Sequence, residues 1–303
     1  MKRIIATLAV VAMVVVLSGC GPDPAGESGT EIISATEALE ILDSQDNVVL
    51  VDARGGLDYR ESHVEGAVNI SRADIVVMTP FPNLVGPADQ IEEVMSSRGI
   101  GNDTLVLAYD DNNNMDSARL WWTLKAYGHD NVQVISGGLG ALTETGVAMS
   151  DSAPTIQPAQ FEAAPFDESM VATSADIRDL IEEPRDDMTV VDTRTETEYL
   201  EEGSIPGAVL LDYSQNNFAD GTYKPVTQIR IRYVEAGIDV DEGAVLFCKT
   251  SIRGAQTYLA MYNAGYRNLK LYDGAWVEWV ANPMNPIYQA EPALVELESS
   301  DNS

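Results

Sequence analysis

The sequence is poor in cysteine, histidine and basic residues. In 303 residues it has two cysteines, two histidines and 18 lysines and arginines, against 48 aspartates and glutamates. A chain of this length is no miniature disulfide-stapled fold, and at roughly 100 to 200 residues per domain it should form two cores. The net charge of −30 repels phosphate backbones and anionic lipid surfaces, so nucleic-acid binding is disfavoured.

The charge imbalance suits either a surface hydrated in saline surroundings or general solubility, and composition does not separate these interpretations.

The two histidines, His63 and His129, both lie in the first half of the chain, far in sequence from Cys248. Neither a metal site nor a Cys-His dyad is therefore predicted. We expect no metal and no cofactor.

Apolar runs long enough to span a membrane are also lacking. The run at the N-terminus extends from Ile4 to Leu17, is interrupted by Thr7 and follows Lys2 and Arg3. A membrane-spanning helix needs about 20 apolar residues, whereas a basic start and a shorter apolar stretch are typical of an export signal. We predict a signal peptide over residues 1–19, which does not belong to the fold.

The signal ends in Leu-Ser-Gly-Cys, which resembles the lipobox of bacterial lipoproteins. This resemblance implies that Cys20 becomes the lipid-modified N-terminus and that residues up to 30 form a tether. We expect a periplasmic or cell-surface lipoprotein that contacts the membrane only through this lipid. The alternative is a plain cleaved signal with an incidental cysteine.

The chain contains an internal duplication with a period of about 140 residues. The clearest pairs are Val51-Asp52-Ala53-Arg54 with Val191-Asp192-Thr193-Arg194, and Gly66-Ala67-Val68 with Gly207-Ala208-Val209. A period this long indicates two copies of one domain. We place the first domain at 31–148, a proline-containing linker at 149–171, the second domain at 172–290 and an acidic tail at 291–303.

Short apolar runs alternate with helix-like segments in each copy. The predicted strands are 48–51, 104–108 and 132–135 in the first copy, and 188–191, 244–247 and 269–272 in the second. Continuous β-branched runs of this length are typical of parallel strands covered on both faces. Ser34 and Glu37 are spaced as a capping box that opens a helix. The fold class predicted is α/β, with a mainly parallel sheet and helices on both faces in each domain.

Cys248 follows the predicted strand 244–247, and a helix begins a few residues later. Ligands of open α/β sheets bind outside the carboxyl ends of the strands. The helix N-terminus, Lys249 and Arg253 would favour the thiolate form there. With Cys20 lipidated, Cys248 is the one free thiol of the mature chain, and we predict that it is the nucleophile.

These residues resemble the tandem rhodanese sulfurtransferases, which include the thiosulfate and 3-mercaptopyruvate enzymes. The resemblance covers nearly all of 31–290. The resemblance rests on seven sequence features. They are the Asp-x-Arg segments at 52–54 and 192–194, the segments 63–67 and 205–208, Trp121-Trp122 with Gly128-His129, Tyr272-Asp273-Gly274 with Trp276 and Trp279, and the Cys248 loop. The resemblance implies that the second copy is catalytic and that the first, with Tyr109 opposite Cys248, walls the cleft.

The resemblance further implies that sulfane sulfur passes from thiosulfate to cyanide or a thiol through a Cys248 persulfide, in a monomer. The substrate-binding residues implied are Lys249, Thr250, Ser251, Ile252, Arg253 and Arg194. The alternatives are a 3-mercaptopyruvate sulfurtransferase, a noncatalytic sulfur-binding or carrier module, and a cysteine phosphatase. The phosphatase loop has five residues between cysteine and arginine, whereas four separate Cys248 from Arg253.

Three positions depart from the family pattern. Glu198 stands where the family usually has a second arginine, Ser251 replaces a frequent loop glycine, and Ser204 replaces a usual histidine. These departures affect donor affinity or donor identity.

Elsewhere, the segment from Asp110 to Asp116 is spaced like a calcium loop but lacks its glycine and closing carboxylate, so we interpret it as a solvated turn. The four tryptophans are assigned to the core, and Arg54 and Arg194 could form structural ion pairs.

Overall fold

The computed structural model describes residues 29–289. The predicted signal peptide, Cys20 and the acidic tail lie outside these residues. Within the described part of the chain, every helix is too short or too polar to cross a bilayer.

The first domain consists of nine strands and six helices, all of them short. In chain order they are β1 (Ile32–Ile33), α1 (Ala35–Ser44), β2 (Val48–Asp52), α2 (Gly56–Glu61), β3 (His63–Val64), β4 (Val68–Asn69), α3 (Arg72–Ile75), β5 (Val76–Val77), β6 (Leu84–Val85), α4 (Ala88–Ser97), β7 (Leu105–Tyr109), α5 (Met115–Ala126), β8 (Val132–Ile135), α6 (Gly138–Glu144) and β9 (Met149–Ser150).

The second domain repeats this alternation. Its elements are β10 (Val171–Ala172), α7 (Ser174–Glu182), β11 (Met188–Asp192), α8 (Glu196–Glu202), β12 (Val209–Leu210), α9 (Val226–Glu235), β13 (Gly243–Phe247), α10 (Ile252–Asn263), β14 (Leu269–Tyr272) and α11 (Ala275–Ala281), with 3-10 turns at Glu168–Met170 and Tyr213–Asn216.

Each domain has one five-stranded parallel sheet, and the two sheets have the same topology. The strand orders are β1-β8-β7-β2-β4 and β10-β14-β13-β11-β12. Register also repeats, since Asp52 lies opposite Tyr109 and Asp192 lies opposite Phe247. The predicted duplication and α/β fold class are confirmed.

Local sequence explains where several helices begin. Ser34 and Glu37 form the predicted capping box of α1, and Thr195 with Glu198 forms another at the start of α8. In each box a hydroxyl accepts a backbone N–H and a carboxylate accepts the N–H of the cap residue. Glu198 therefore has a structural partner on its own helix.

Each domain has a smaller hydrophobic cluster of its own, and the largest hydrophobic cluster includes buried residues from both sheets. Helices α5 and α10 pack against each other at its centre, and the rings of Trp121 and Tyr258 lie 6.2 Å apart across this contact. Trp122, Trp276 and Trp279 are also buried, as predicted for core residues. Because the helices that follow β7 and β13 form the contact, the loops before them lie close to the domain interface.

The segment between the domains packs along the first domain. Met149 pairs with Val64 in an antiparallel ladder, the backbone N–H groups of Ala159 and Phe161 donate to Ser96, and the side chain of Phe161 is buried. These contacts fix the path of the connection on the first domain's surface.

Candidate active site

Cys248 lies at the carboxyl end of β13, in the turn that leads into α10. It is only 1% exposed. Its carbonyl oxygen accepts the N–H of Trp276 at 3.0 Å, which ties the turn to the start of α11. The backbone of Cys248 is therefore held between β13 and α11, at the carboxyl end of a sheet strand, as predicted from the sequence.

The N-terminus of α10 forms the floor of the site. Its cap residue, Ser251, has a left-handed backbone with φ 64. Among the described residues, no side chain caps this helix end in the way that Thr195 caps α8. The first N–H groups of a helix have no intrahelical acceptor, so those of α10 and its positive dipole end favour an anion beside Cys248.

Arg253, on the first turn of α10, connects the thiol with Glu198. Its guanidinium donates to the two oxygens of Glu198 at 2.5 and 2.7 Å. Burial lowers the pKa of Arg253, but the bonds to Glu198 and the charge and hydrogen bond of Cys248 raise it overall. Burial likewise opposes ionisation of Glu198, yet Arg253 and Thr195 lower the pKa of that carboxyl to about 2. The pair is ionised at neutral pH.

Lys249 belongs to a second ion-pair group at the mouth of the site. Its Nζ lies 2.6 and 2.5 Å from the two carboxylate oxygens of Glu202, and it is 40% exposed. Glu202 also accepts from Arg194 at 3.3 Å. Both loop cations predicted to bind the donor are thus paired with carboxylates of α8.

Arg194 is fully buried and forms a bidentate pair with Asp192, with Nη2 2.7 Å from Oδ2. The same nitrogen donates to the carbonyl of Gly203 at 2.6 Å, and the guanidinium lies 4.3 Å from the Trp276 ring centre. Arg54 makes the equivalent bidentate pair with Asp52 in the first domain, which has no cysteine. The Asp-Arg pair therefore supports the fold in both copies, and a donor contact by Arg194 stays a prediction.

The middle of the loop contacts the first domain. Thr250 Oγ1 accepts from Asn83 Nδ2 at 3.0 Å. Ser251 Oγ accepts from Arg119 at 3.2 Å and donates to Asp273 at 2.9 Å. Ile252 is buried, so its backbone N–H is the part that a small ligand could contact.

Asn83 and Arg119 were not among the predicted site residues. Both are distant in sequence from Cys248, and a single arginine on the otherwise apolar face of α5 resembles any amphipathic helix residue. Asp273 does belong to the family-like Tyr-Asp-Gly segment, which could have indicated its position.

The structure corrects one pairing between the copies. Tyr109 lies opposite Asp52 in the sheet, as Phe247 lies opposite Asp192. Asp110, rather than Tyr109, therefore occupies the position of Cys248. The first loop is also one residue longer, since four residues separate Asp110 from the start of α5 and three separate Cys248 from the start of α10.

The carboxylate of Asp110 fills the loop of the first domain. It accepts backbone N–H groups from Asn112 at 2.7 Å, Asn114 at 3.0 Å and Ser117 at 2.8 Å. Burial raises the pKa of Asp110, and the bonds from Ser117 and Asn112 offset only part of this increase. The segment is thus a turn whose middle, Asp111 to Asn113, is exposed as predicted, while the Asp110 carboxylate is buried, which the sequence did not indicate.

Comparison with known proteins gives the same division of the chain. A rhodanese-like domain model matches residues 34–145 and again 173–282. The chain is 29% identical over 237 residues to a Haloferax volcanii protein named "Putative thiosulfate sulfurtransferase", covering 73% of this chain and 81% of that protein.

Two other relatives have different names. The chain is 30% identical over 274 residues to the sulfur carrier protein TtuD of Thermus thermophilus, covering 84% of this chain and 95% of that one. It is 28% identical over 258 residues to 3-mercaptopyruvate sulfurtransferase of Homo sapiens, covering 81% and 86%. The two family-model matches contain four strands of each five-stranded sheet, and the second contains the Cys248 loop. The chain accordingly belongs to the rhodanese-like sulfurtransferase family, with two such domains in tandem.

Proposed function

We propose that this protein is a sulfurtransferase that carries sulfur as a persulfide on Cys248, with thiosulfate as its donor. The observation that carries the proposal is the position of the thiol. Cys248 lies at the end of β13 and at the N-terminus of α10, whose first turn contains Arg253. This surrounding favours a thiolate, which is the nucleophilic form of cysteine.

In the first half-reaction, the thiolate attacks the outer sulfur of thiosulfate. A bond forms between Cys248 Sγ and this sulfur, the S–S bond of thiosulfate breaks, and sulfite leaves with the bonding electron pair. In the second half-reaction, cyanide or a thiolate attacks the outer sulfur of the persulfide and restores the cysteine thiolate. No general base is needed in either step when the thiolate is the attacking form.

The loop stabilises the anionic species of this cycle. The persulfide and the departing sulfite are both negative, and the backbone N–H groups at the start of α10 point toward them. Arg253 contributes a charge next to the sulfur, and Lys249 lies at the more exposed entrance. Arg119 and Asn83 act on this loop from the other domain.

One observation favours 3-mercaptopyruvate as a second candidate donor. Arg253 and Lys249 are each paired with a carboxylate, Glu198 and Glu202 respectively. A dianion gains less from paired cations than from unpaired ones, whereas 3-mercaptopyruvate has a single carboxylate to accommodate. Steady-state kcat/KM for the two donors decides the order, and a large advantage for 3-mercaptopyruvate would reverse it.

Mass spectrometry of the purified protein, before and after addition of a donor, tests the persulfide. We expect one added sulfur on the peptide containing Cys248 and its loss on addition of cyanide. Cys248→Ser is the control, since it still contains Cys20 and would reveal sulfur added there. The amount of sulfite released per protein molecule distinguishes an enzyme from a sulfur carrier. A carrier would take up one sulfur atom and release no more than one equivalent of sulfite, whereas an enzyme would release many.

We further propose that the protein is anchored outside the cytoplasm by lipid on Cys20. The support is the short apolar run that ends in Leu-Ser-Gly-Cys. Cys20→Ala should release the protein from the membrane fraction or stop its processing. A normally processed variant that stays with the membrane would refute the anchor.

A further inference from the structure

A side chain of the first domain binds the Cys248 loop through the hydroxyl of Ser251. Arg119, on α5, is fully buried, and its Nη1 donates to Ser251 Oγ at 3.2 Å. Its Nη2 donates to the carbonyl of Asn83 at 3.0 Å and lies 2.7 Å from Asp273 Oδ1. The guanidinium therefore joins three chain segments around the loop.

Ser251 needs such support because its backbone is left-handed, with φ 64. This conformation is unfavourable for residues with a side chain and is readily adopted by glycine. The Ser251 hydroxyl is held at two points, since it accepts from Arg119 and donates to Asp273 at 2.9 Å. Ser251 is also the residue before α10, so its conformation sets the direction of the N–H groups that face Cys248.

The equivalent loop of the first domain also has a left-handed residue before its helix, but no arginine among residues 29–289 holds it. Its loop places Asn114 before α5, with φ 61. Asparagine tolerates the left-handed region. The Asn114 side chain, moreover, donates to the carbonyl of Gly221 at 2.8 Å and accepts the N–H of Gly137 at 3.1 Å. Serine lacks that tolerance, which leaves the contacts from Arg119 and Asp273 to fix the second loop.

We propose that Arg119 is a positioning residue for sulfur transfer: through Ser251 it fixes the left-handed turn that aims the N-terminus of α10 at Cys248. This inference rests on the proposed function for its consequence, faster attack on the donor. It gives the first domain a specific task in a reaction that takes place on the second.

Arg119→Lys is the variant of choice, because it keeps a charge for Asp273 but cannot reproduce the fork to Ser251 and Asn83. We expect alkylation of Cys248 by iodoacetamide at neutral pH to slow by roughly tenfold, the effect of losing one aligned charged hydrogen bond. The pH profile of alkylation should move to higher pH, since a misaligned helix end favours the thiolate less. The donor kcat/KM should fall in parallel.

The compensating variant is Ser251→Gly, because glycine adopts positive φ without help. If Arg119 acts through the conformation of Ser251, Arg119→Lys should slow alkylation by less than about threefold in the Ser251→Gly background. Equal slowing in both backgrounds would refute this route. Unchanged alkylation in Arg119→Lys alone would refute the proposal altogether.

Arg54→Lys is the matched control for loosening of the first domain. Arg54 is also buried and lies 2.7 Å from Asp52, within its own domain. We expect a comparable loss of thermal stability with no movement of the alkylation profile, and an equal movement would overturn the assignment. Should Arg119→Lys not fold, Asn83→Gly keeps the positive φ of that residue and its carbonyl but deletes the bond to Thr250, and it should slow alkylation in the same direction.

Alkylation needs no sulfur donor, so the two proposals fail separately. A wild-type protein that takes up no sulfur at Cys248 refutes the proposed function, while the alkylation cycle still decides whether Arg119 positions the loop. Conversely, normal sulfur uptake with unchanged alkylation in Arg119→Lys refutes the positioning role alone.

Discussion

Glu198→Gln tests whether the carboxylates of α8 limit the use of anionic donors. Glu198 binds both terminal nitrogens of Arg253, at 2.5 and 2.7 Å, and also accepts from Thr195 in the cap of α8. Glutamine has nearly the same shape and can still accept from Thr195. The substitution therefore removes one negative charge beside the loop and leaves the helix cap largely in place.

The expected gain follows from Coulomb's law. At roughly 8 Å and an effective dielectric constant near 20, one unit charge changes the energy of a monoanion by about 2 kcal/mol and of a dianion by about 4 kcal/mol. Solvent at the mouth of the site reduces these values by about half. We expect kcat/KM to rise roughly 30-fold for thiosulfate and roughly fivefold for 3-mercaptopyruvate, because 1.4 kcal/mol is about a factor of ten.

The assay is the initial rate with each donor at fixed acceptor, repeated over a series of ionic strengths. The gain should shrink as salt increases, since it is electrostatic. Glu202→Gln is the matched control: it frees Lys249, which is 40% exposed compared with 17% for Arg253, so its gain should be smaller. Equal gains for the two donors, or a loss with thiosulfate, would refute the reasoning.

Three further predictions concern kinetics and stability. Covalent transfer through Cys248 should give parallel double-reciprocal lines, and intersecting lines would exclude it. Asp110→Ala removes the acceptor of three N–H groups, two of them buried, and should lower the free energy of unfolding by about 2–4 kcal/mol in urea titrations; a change near zero would contradict this. The pKa of Glu198 is lowered from 4.5 to about 2, so its stabilising effect is complete above pH 4.5 and is lost as pH falls toward 2. The difference in unfolding free energy between wild type and Glu198→Gln should disappear over that interval.

The duplication, the strands and the place of Cys248 at the end of a strand could be predicted from sequence because each depends on a sequence pattern. Apolar β-branched runs identified β2, β7 and β13, and the turn after β13 placed Cys248. The residue-by-residue alignment of the two copies was harder to predict. Tyr109 and Cys248 both follow apolar residues, and only the sheet pairing with Asp52 and Asp192 shows that Asp110 is the true counterpart of Cys248.

Contacts between distant segments could not be predicted in the same way. Lys249 and Arg253 were interpreted as free cations, because their partners, Glu202 and Glu198, lie about 50 residues earlier and belong to another helix. Arg119 contacts Ser251 across 132 residues and a domain boundary. Such pairs depend on how α5, α8 and α10 pack, and no periodicity in the sequence records that.

The Asp110 carboxylate has a consequence best expressed as effective concentration. Because it is covalently attached and already bonded to three N–H groups, it competes with any diffusing anion as a tethered ligand, at an effective concentration in the millimolar range or above. A donor present at micromolar levels would not displace it. The first loop is thus filled by its own side chain. Of the two equivalent loops in residues 29–289, we expect only the one that follows Cys248 to bind a nonreactive donor analogue, and equilibrium titration measures that stoichiometry.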